Sequence, residues 1–231
     1  MQIHGLNKTT LLDYPEHVAA TVFTGGCNFC CPFCHNGDLV LHAKEYPTIS
    51  EEEVLTFLQK RKNILSGVCI TGGEPTLQPD LPEFIGKMKD MGYLVKLDTN
   101  GYRPEVLRKL LEANLLDYVA MDIKNSKEKY DTTVGKGNLD IKRIEESVSI
   151  LLEGRIPYEF RTTVVRELHT SEDFEAIGSW IQGAGAYFLQ SYRDNENVIQ
   201  KGFSAYSKEE LESFVNLLKK YVTRVELRGM E

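Results

Sequence analysis

The fold is decided by the stretch from residue 18 to residue 36, which reads VAATVFTGGCNFCCPFCHN. Its first part, Val18–Phe23, is a continuous run of apolar and β-branched residues, which is typical of a strand buried on both faces. Its second part, Thr24–Asn36, contains glycines, a proline and four cysteines, which indicates a loop rich in potential ligands. The stretch therefore predicts a parallel α/β sheet in which the loop after this strand carries chemistry.

The same alternation of short β-type runs and longer amphipathic stretches continues along the chain. The β-type runs, rich in Val, Ile, Tyr and Phe, are Val18–Phe23, Gly67–Thr71, Tyr93–Leu97, Tyr118–Ile123, Tyr158–Val165, Tyr187–Leu189 and, as a further candidate, Val222–Leu227. Between them, Ser50 and Ser207 precede acidic residues in the pattern of a capping box, and Pro82 and Pro104 mark helix first turns. Repeated strand–helix units imply right-handed crossovers and a parallel sheet, either closed or open like a split barrel, in one domain over residues 1–231.

Charge and composition narrow the classes of function. The chain has 27 Lys and Arg against 34 Asp and Glu, a formal charge of −7, and no long basic run, so we expect no binding to nucleic acid or to an anionic membrane. No segment has the apolar length of a membrane span and the N-terminus lacks a signal-peptide pattern, so we expect a cytoplasmic protein. Four of the five cysteines fall within residues 27–34, which favours metal or redox chemistry over a disulfide framework.

The first strand-end loop has the spacing of a metal or cluster site. Cys27, Cys31 and Cys34 form a C-x3-C-x2-C pattern. Thiolates suit iron–sulfur clusters, and three of them would leave one iron of a four-iron cluster open to an outside ligand. A closed zinc site with His35 or Cys30 as the fourth ligand would use the same cysteines. The cysteines alone do not distinguish the two.

The next three strands also end in polar motifs. These are Gly72-Gly73-Glu74, the Asp98–Gly101 segment, and the pair Asp122 and Lys124. Each alone has an ordinary explanation as a turn, an Asn-Gly loop or a surface ion pair. Because the carboxyl ends of parallel strands meet at one face, their coincidence favours a cofactor site there.

These residues resemble the signature of radical S-adenosylmethionine (SAM) enzymes. The loop matches C-x3-C-x-Φ-C, with Phe33 as the aromatic residue, and Gly72-Gly73-Glu74 resembles the GGE motif of that family. Segments 34–36, 97–101 and 121–124 are similar to pyruvate formate-lyase activase, an activating enzyme of a glycyl-radical enzyme. Segments 12–15, 23–27 and 225–229 resemble anaerobic ribonucleoside-triphosphate reductase activating proteins. The resemblance spans nearly the whole chain and implies a partial (β/α)6 TIM-type barrel with a parallel sheet and outer helices.

The resemblance also implies cofactors and a reaction. Cys27, Cys31 and Cys34 would hold a [4Fe–4S] cluster whose open iron binds the amino and carboxylate groups of SAM. A reduced flavodoxin or ferredoxin would supply an electron, and a 5′-deoxyadenosyl radical from SAM would take hydrogen from a glycine of a partner enzyme. The implied SAM contacts are Phe33 and His35 at the adenosine, Gly72, Gly73 and Glu74 at the methionyl amine, and Asp98, Asn100, Asp122 and Lys124 along the rest. A monovalent cation can lie beside Asp98 and Asp122.

The chain departs from the activase pattern at two places. A SAM-contacting histidine of the activase has no counterpart after the sixth strand, where this chain has Gln190 and Arg193, and we expect Arg193, or alternatively Gln190, to take its place. Cys30 stands where arginine is more usual, and we interpret it as a thiol that does not bind the cluster. No further cysteine run follows the first loop, so one cluster is expected.

Three functions are compatible with these features. The first is an activating enzyme that installs a glycyl radical on anaerobic ribonucleotide reductase, or on another glycyl-radical enzyme such as pyruvate formate-lyase. The second is a radical SAM enzyme that acts on a small molecule, like the compact 7-carboxy-7-deazaguanine synthases. The third is a zinc-stabilised binding module without catalysis, which leaves the other strand-end motifs unexplained.

Overall fold

A computed structural model describes residues 1–230 and shows one eight-stranded sheet in which the strands follow their order in the chain. The strands are β1 (Ile3–Thr10), β2 (Ala19–Thr24), β3 (Gly67–Gly72), β4 (Leu94–Thr99), β5 (Tyr118–Asp122), β6 (Tyr158–Val164), β7 (Ala186–Ser191) and β8 (Arg224–Arg228). β1 is antiparallel to β2, and every later neighbour pair is parallel. Within residues 1–230 no pairing joins β1 to β8, so the sheet is an open, partial barrel.

Helices follow most of the parallel strands. They are α1 (Gly37–Leu41), α2 (Glu51–Arg61), α3 (Leu81–Asp90), α4 (Pro104–Glu112), α5 (Tyr130–Val134), α6 (Ile141–Leu152), α7 (Ser171–Trp180) and α8 (Lys208–Leu218), with 3-10 turns at Ala43–Glu45 and Pro75–Leu77. The Ser50 side chain accepts a hydrogen bond from the Glu53 backbone, and Ser207 forms a reciprocal capping box with Glu210. No helix within residues 1–230 is long and apolar enough to cross a membrane.

The predicted α/β fold is confirmed, and one strand was missed. The ends of every predicted β-type run lie within two residues of the ends of a strand from β2 to β8. For example, β4 extends two residues beyond the predicted run, to Thr99. The prediction lacked β1, whose sequence, IHGLNKTT, ends in polar residues and has exposed positions in its second half. An edge strand of this kind carries no continuous apolar pattern, because only one of its sides pairs with the sheet.

The amino ends of the parallel strands are closed by the segment between β1 and β2. Thr21 in β2 donates a hydrogen bond to Asp13 at 2.5 Å. Tyr14 is buried against Gly67, where an added Cβ would lie 2.7 Å from the tyrosine ring. The barrel floor is therefore packed, and the opposite end, at the strand carboxyl termini, is the one that opens into a cavity.

Candidate active site

The carboxyl ends of β2 to β7 and the loops after them surround a cavity of about 210 Å³. Every predicted site residue except Arg193 lines it: Cys27, Cys31, Phe33, Cys34, His35, Gly72, Gly73, Glu74, Asp98, Asn100, Asp122 and Lys124. Gln190, the expected alternative to Arg193, lines it too, and further lining residues that the prediction did not include as contacts are Phe29, Asn36, Val40, Thr71, Thr99, Arg161 and Thr163. The topology thus brings four separate sequence motifs to one place.

The cysteine loop presents three thiols to this cavity and turns the fourth away. Cys31 is buried and Cys27 and Cys34 are half-buried, whereas Cys30 is exposed. The Cys34 backbone N–H bonds to the Cys31 carbonyl at 3.0 Å, and the Cys30 N–H bonds to the carbonyl of Val134 at 2.9 Å. Burial raises the pKa of Cys27 and of Cys31 to about 12, so near neutral pH these thiols carry their protons until a bound metal displaces them.

An unsatisfied donor beside these thiols fits an iron–sulfur cluster. Asn28 Nδ2 is buried and has no hydrogen-bond partner among residues 1–230. An unpaired buried donor costs about 1–3 kcal/mol, and the sulfur atoms of a cluster are acceptors. Three cavity-facing thiols and one orphaned N–H donor together fit a cluster with three protein ligands. Among the described residues, no three His, Cys, Asp or Glu side chains are grouped so as to hold a single metal ion.

The two glycines of the second loop are required by contact with the first loop. Gly72 has φ +112°, and a Cβ added to Gly73 would lie 2.0 Å from the Gly26 carbonyl oxygen. The Gly73 N–H donates to the Thr24 carbonyl at 2.8 Å, and the Glu74 N–H donates to that of Gly26 at 2.8 Å. The backbone that approaches Gly73 so closely is thus that of the cysteine loop, which the glycines hold in place.

Glu74 joins the second and third loops. Its carboxylate is fully buried and accepts hydrogen bonds from the Thr76 backbone at 3.0 Å, the Thr99 hydroxyl at 2.7 Å and the Asn100 backbone at 2.7 Å. Burial raises the pKa of Glu74 even though these hydrogen bonds oppose the shift. The Glu74 carboxylate is expected to contact the methionyl amine of SAM. In this structure it already accepts hydrogen bonds from the two loops around it.

Four charged side chains of the cavity wall, Asp98, Asp122, Lys124 and Arg161, form a network of alternating charge with the buried Lys96. Asp98 pairs with Lys96 and, at 3.1 Å, with Arg161; Asp122 pairs with Arg161 at 3.0 Å and with Lys124 at 3.0 Å. Burial alone would raise the pKa of Asp98, but Arg161 and Lys96 hold it at about 2. Of the three cations in this network, Arg161 and Lys124 line the cavity, where their N–H groups could meet an anionic group of a ligand.

Arg161 occupies the place expected for a monovalent cation. Its guanidinium bridges Asp98 and Asp122, and each of the four carboxylate oxygens has a cationic partner on the protein. The sequence signal for Arg161 was a charged residue inside a buried strand, which is costly without partners. Its partners lie on β4 and β5, so the sequence alone did not reveal the bridge.

After the sixth parallel strand, the structure places Gln190 rather than Arg193 at the cavity. The exposed Arg193 guanidinium donates to the Gly229 carbonyl at 3.1 Å, and the Arg193 carbonyl bonds to the His35 ring at 2.7 Å. Of the two residues expected to contact the cofactor here, Gln190 therefore lines the cavity and Arg193 does not. The His35 ring also stacks on Tyr192 at 5.7 Å between centroids, so the β7 loop positions His35 instead.

Comparisons with known proteins agree with this site. Residues 21–181 match the family model of the radical SAM superfamily. The chain is 32% identical, over 98% of its length and 95% of the relative's, to a protein of Methanocaldococcus jannaschii assigned as a glycyl-radical enzyme activating enzyme. A second protein of that organism with the same assignment is 30% identical over 70% of this chain and 62% of its own length.

Solved structures share the fold. A domain of pyruvate-formate lyase-activating enzyme from Bacteroides vulgatus superposes with a TM-score of 0.58 and 17% identity, covering 71% of this chain and 99% of that domain. SuiB of Streptococcus suis, bound to SAM, gives a TM-score of 0.70 with 12% identity over 88% of this chain and 48% of SuiB. At these identities the likeness concerns the fold alone. The family match and the full-length relative show that the chain belongs to the radical SAM superfamily and is an enzyme, and this membership implies a [4Fe–4S] cluster and SAM.

Proposed function

We propose that this enzyme installs a glycyl radical on a partner protein, and that the partner is anaerobic ribonucleotide reductase. The observation that carries the proposal is the similarity to an assigned glycyl-radical activating enzyme over 98% of this chain and 95% of that protein. The name of that relative does not specify the partner. Segments 12–15 and 225–229, which resemble the activating proteins of the reductase, support it as the first choice.

Both segments have defined places in the barrel. Asp13 and Tyr14 close the floor, and Arg228 in β8 makes two hydrogen bonds, at 2.6 and 2.9 Å, to the buried Glu159 carboxylate of β6. Removing one partner of a buried ion pair is strongly destabilising, so this pair, which joins β8 to β6 across β7, contributes to the stability of the barrel. The segments that suggest the reductase therefore also have structural roles.

Different residues of the cavity would bind the cluster and SAM. Cys27, Cys31 and Cys34 would hold the cluster, and the cationic groups of Arg161 and Lys124 would bind the SAM carboxylate. When bound, the cluster and SAM supply a 5′-deoxyadenosyl radical that removes a hydrogen atom from a glycine of the partner.

Other lining groups orient SAM and keep water out. The buried Phe33 ring and the His35 ring, held by its hydrogen bond to the Arg193 carbonyl, would flank the adenosine. Gly72 and Gly73 would present backbone groups to the methionyl amine, while Glu74 and Asn100 fix the loops around it. Because Arg161 lies between Asp98 and Asp122, we infer that a protein cation serves where a monovalent cation was expected.

The electron donor would be a reduced flavodoxin or ferredoxin, and the setting the reducing cytoplasm, where thiols stay unpaired. The test is anaerobic incubation of the cluster-loaded enzyme with SAM, reduced flavodoxin and purified anaerobic ribonucleotide reductase. We expect a glycyl-radical doublet in the electron paramagnetic resonance spectrum that is lost when the acceptor glycine of the reductase is replaced by alanine.

Comparators separate the alternatives. A doublet on pyruvate formate-lyase but none on the reductase would assign the enzyme to that partner. SAM cleavage accelerated by a small molecule without any protein would favour a small-molecule enzyme. Loaded protein that forms no 5′-deoxyadenosine under any of these conditions would contradict the catalytic proposal.

A further inference from the structure

We propose that Asn28 and Asn100 form a pair of amide donors to the sulfur atoms of the cluster and thereby raise its reduction potential, with Glu74 as the residue that holds the pair in position. The inference rests on the proposed cluster site at Cys27, Cys31 and Cys34. It concerns two neutral side chains, Asn28 and Asn100, that are not themselves ligands of the cluster.

The Asn100 amide is oriented by hydrogen bonds at both ends. Its Oδ1 accepts the Tyr102 backbone N–H at 3.0 Å, which commits the oxygen end to the third loop. Its Nδ2 donates to Asn28 Oδ1 at 2.8 Å and lies 3.7 Å from Cys27 Sγ. The nitrogen end of Asn100 therefore faces the cysteine loop and borders one of the three proposed ligands.

Asn28 is oriented in turn by Asn100. Because Asn28 Oδ1 is used by Asn100, the donor end of the Asn28 amide is directed elsewhere, and it is buried without an acceptor among residues 1–230. Asn28 Oδ1 lies 3.9 Å from Cys27 Sγ, so this amide also borders the thiol. Buried donors in folded proteins almost always have a partner, and because Asn28 Nδ2 has none among residues 1–230 and follows Cys27 directly, we assign a sulfur atom of the bound cluster as its acceptor.

Glu74 fixes the backbone from which Asn100 projects. One carboxylate oxygen accepts the Asn100 N–H at 2.7 Å, and the other accepts the Thr99 hydroxyl at 2.7 Å. Because the carboxylate is fully buried, its position is set by these bonds and not by solvent. Glu74 thus acts through Asn100 and is a positioning residue.

Hydrogen bonds to cluster sulfurs favour the form of the cluster that carries more negative charge, which is the reduced form. Reduction adds one electron from an external one-electron donor, and no bond of the protein breaks. Since both amides are neutral, removing one changes the hydrogen bonding of the sulfurs without changing the charge of the site. The potential should therefore become more negative when either amide is lost.

The test is a spectroelectrochemical titration of the cluster-loaded enzyme without SAM, with dithionite and redox mediators. Asn28→Ala and Asn100→Leu should keep the iron and sulfide content of the wild type and show lower midpoint potentials. We expect the ratio of reduced to oxidised cluster at a fixed potential to fall roughly three- to tenfold, tenfold being about 59 mV for one electron. Asn216→Ala, an amide on the distant helix α8, is the control and should leave the potential unchanged.

A double variant tests the coupling. Because Asn100 orients Asn28, the shift in the Asn28→Ala, Asn100→Leu protein should be smaller than the sum of the single shifts. Glu74→Gln disturbs the bond to the Asn100 backbone but also removes a carboxylate near Cys27, which by itself would make the potential more positive; a shift to more negative values in this variant would therefore report the displaced Asn100 amide.

Wild-type potentials in loaded Asn28→Ala and Asn100→Leu, or shifts to more positive values, would overturn the proposal. If the Asn100→Leu variant takes up no cluster, the potential of the Asn28→Ala variant decides between these outcomes. Asn28 is a half-buried loop residue, so its truncation does not disturb a strand or helix. Loss of the cluster from Asn28→Ala would also overturn it, since the amide would then be needed for assembly. Failure of the wild type to take up a cluster would contradict the proposed function instead.

Discussion

Arg161 donates from Nη1 to Asp98 Oδ2 at 3.1 Å, and this contact joins two strands whose residues are 63 positions apart in the chain. Arg161 also reaches Asp122 on the strand between them at 3.0 Å. One guanidinium therefore bridges two carboxylates that face the cavity. Because its planar fork carries several N–H donors in fixed directions, arginine can bond both carboxylates at once.

Arg161→Met should destabilise the protein by about 1–3 kcal/mol, because Asp98 and Asp122 each lose a hydrogen bond from the shared guanidinium while each keeps a lysine partner. Urea unfolding under reducing conditions measures the change. Arg155→Met is the matched control, since Arg155 pairs with Glu153 at the surface with half of its side chain exposed, and its loss should cost at most about 1 kcal/mol. Equal losses in the two variants would show that the bridge adds nothing to stability.

We expect SAM binding by the wild type to be independent of monovalent cations, because Arg161 supplies the charge between Asp98 and Asp122. Calorimetric titration of the loaded enzyme with SAM in potassium, sodium and tetramethylammonium buffers of equal ionic strength should give the same affinity. Arg161→Met should instead bind SAM more tightly with potassium or sodium than with tetramethylammonium. A strong preference for one alkali cation in the wild type would mean that an ion binds despite the guanidinium.

The depressed pKa of Asp98, about 2, makes its contribution to stability depend on pH. The folded pKa lies below the unfolded value of about 3.9, so the contribution is fully present above pH 4 and is lost as the pH falls towards 2. It amounts to roughly 2 kcal/mol at neutral pH, of which about half is lost at pH 3. The difference in unfolding free energy between wild type and Asp98→Asn, measured at pH 7, 5 and 3, should shrink accordingly. A difference that stays constant over this range would be inconsistent with a pKa near 2.

The central strands were predictable because most of their residues are buried and turn residues bound them. Val18–Phe23 and Gly67–Thr71 show this pattern most clearly, and the structure forms β2 and β3 there. β1 was not predicted because its second half, Asn7–Thr9, is exposed and polar. Such a sequence is typical of a loop, and only the pairing with β2 shows that it is a strand. Local patterns thus indicate central strands better than edges.

In the site, the residues within one motif were predictable and the bonds between motifs were not. Cys27, Cys31 and Cys34 are close in the chain, and their spacing alone places them in one loop. Asn28 and Asn100 are 72 residues apart, and their hydrogen bond depends on how the loops after β2 and β4 meet. An asparagine in a loop does not indicate which residue it will hydrogen-bond. The pairing of Asn28 with Asn100 is therefore visible only in the folded chain.

Replacing Cys27, Cys31 or Cys34 by alanine should abolish cluster binding and SAM cleavage, whereas Cys30→Ala should largely preserve both. The three thiols line the cavity, while Cys30 is exposed and its backbone is held by Val134. Iron and sulfide per chain after anaerobic reconstitution, and 5′-deoxyadenosine formed on reduction with SAM, measure the two properties. If Cys30→Ala proves as damaging as the other three, the ligand assignment is wrong.

Gly73→Ala should destabilise the protein by about 1–3 kcal/mol and reduce cluster content, because the new methyl group would lie 2.0 Å from the Gly26 carbonyl oxygen. Neither backbone can yield freely, since the Gly73 and Glu74 N–H groups bond to Thr24 and Gly26 at 2.8 Å each. Any movement that relieves the clash therefore displaces the chain that leads into Cys27.

Gly86→Ala provides the matched control for this substitution. Gly86 lies in α3, and an added Cβ there meets no heavy atom within 4 Å, so the change should stabilise the protein by about 0.5–1 kcal/mol through helix propensity. Urea unfolding and iron analysis of both variants make the comparison. Wild-type stability and full iron content in Gly73→Ala would show that the two loops can separate without loss, and the second glycine would then need another explanation, such as direct contact with SAM.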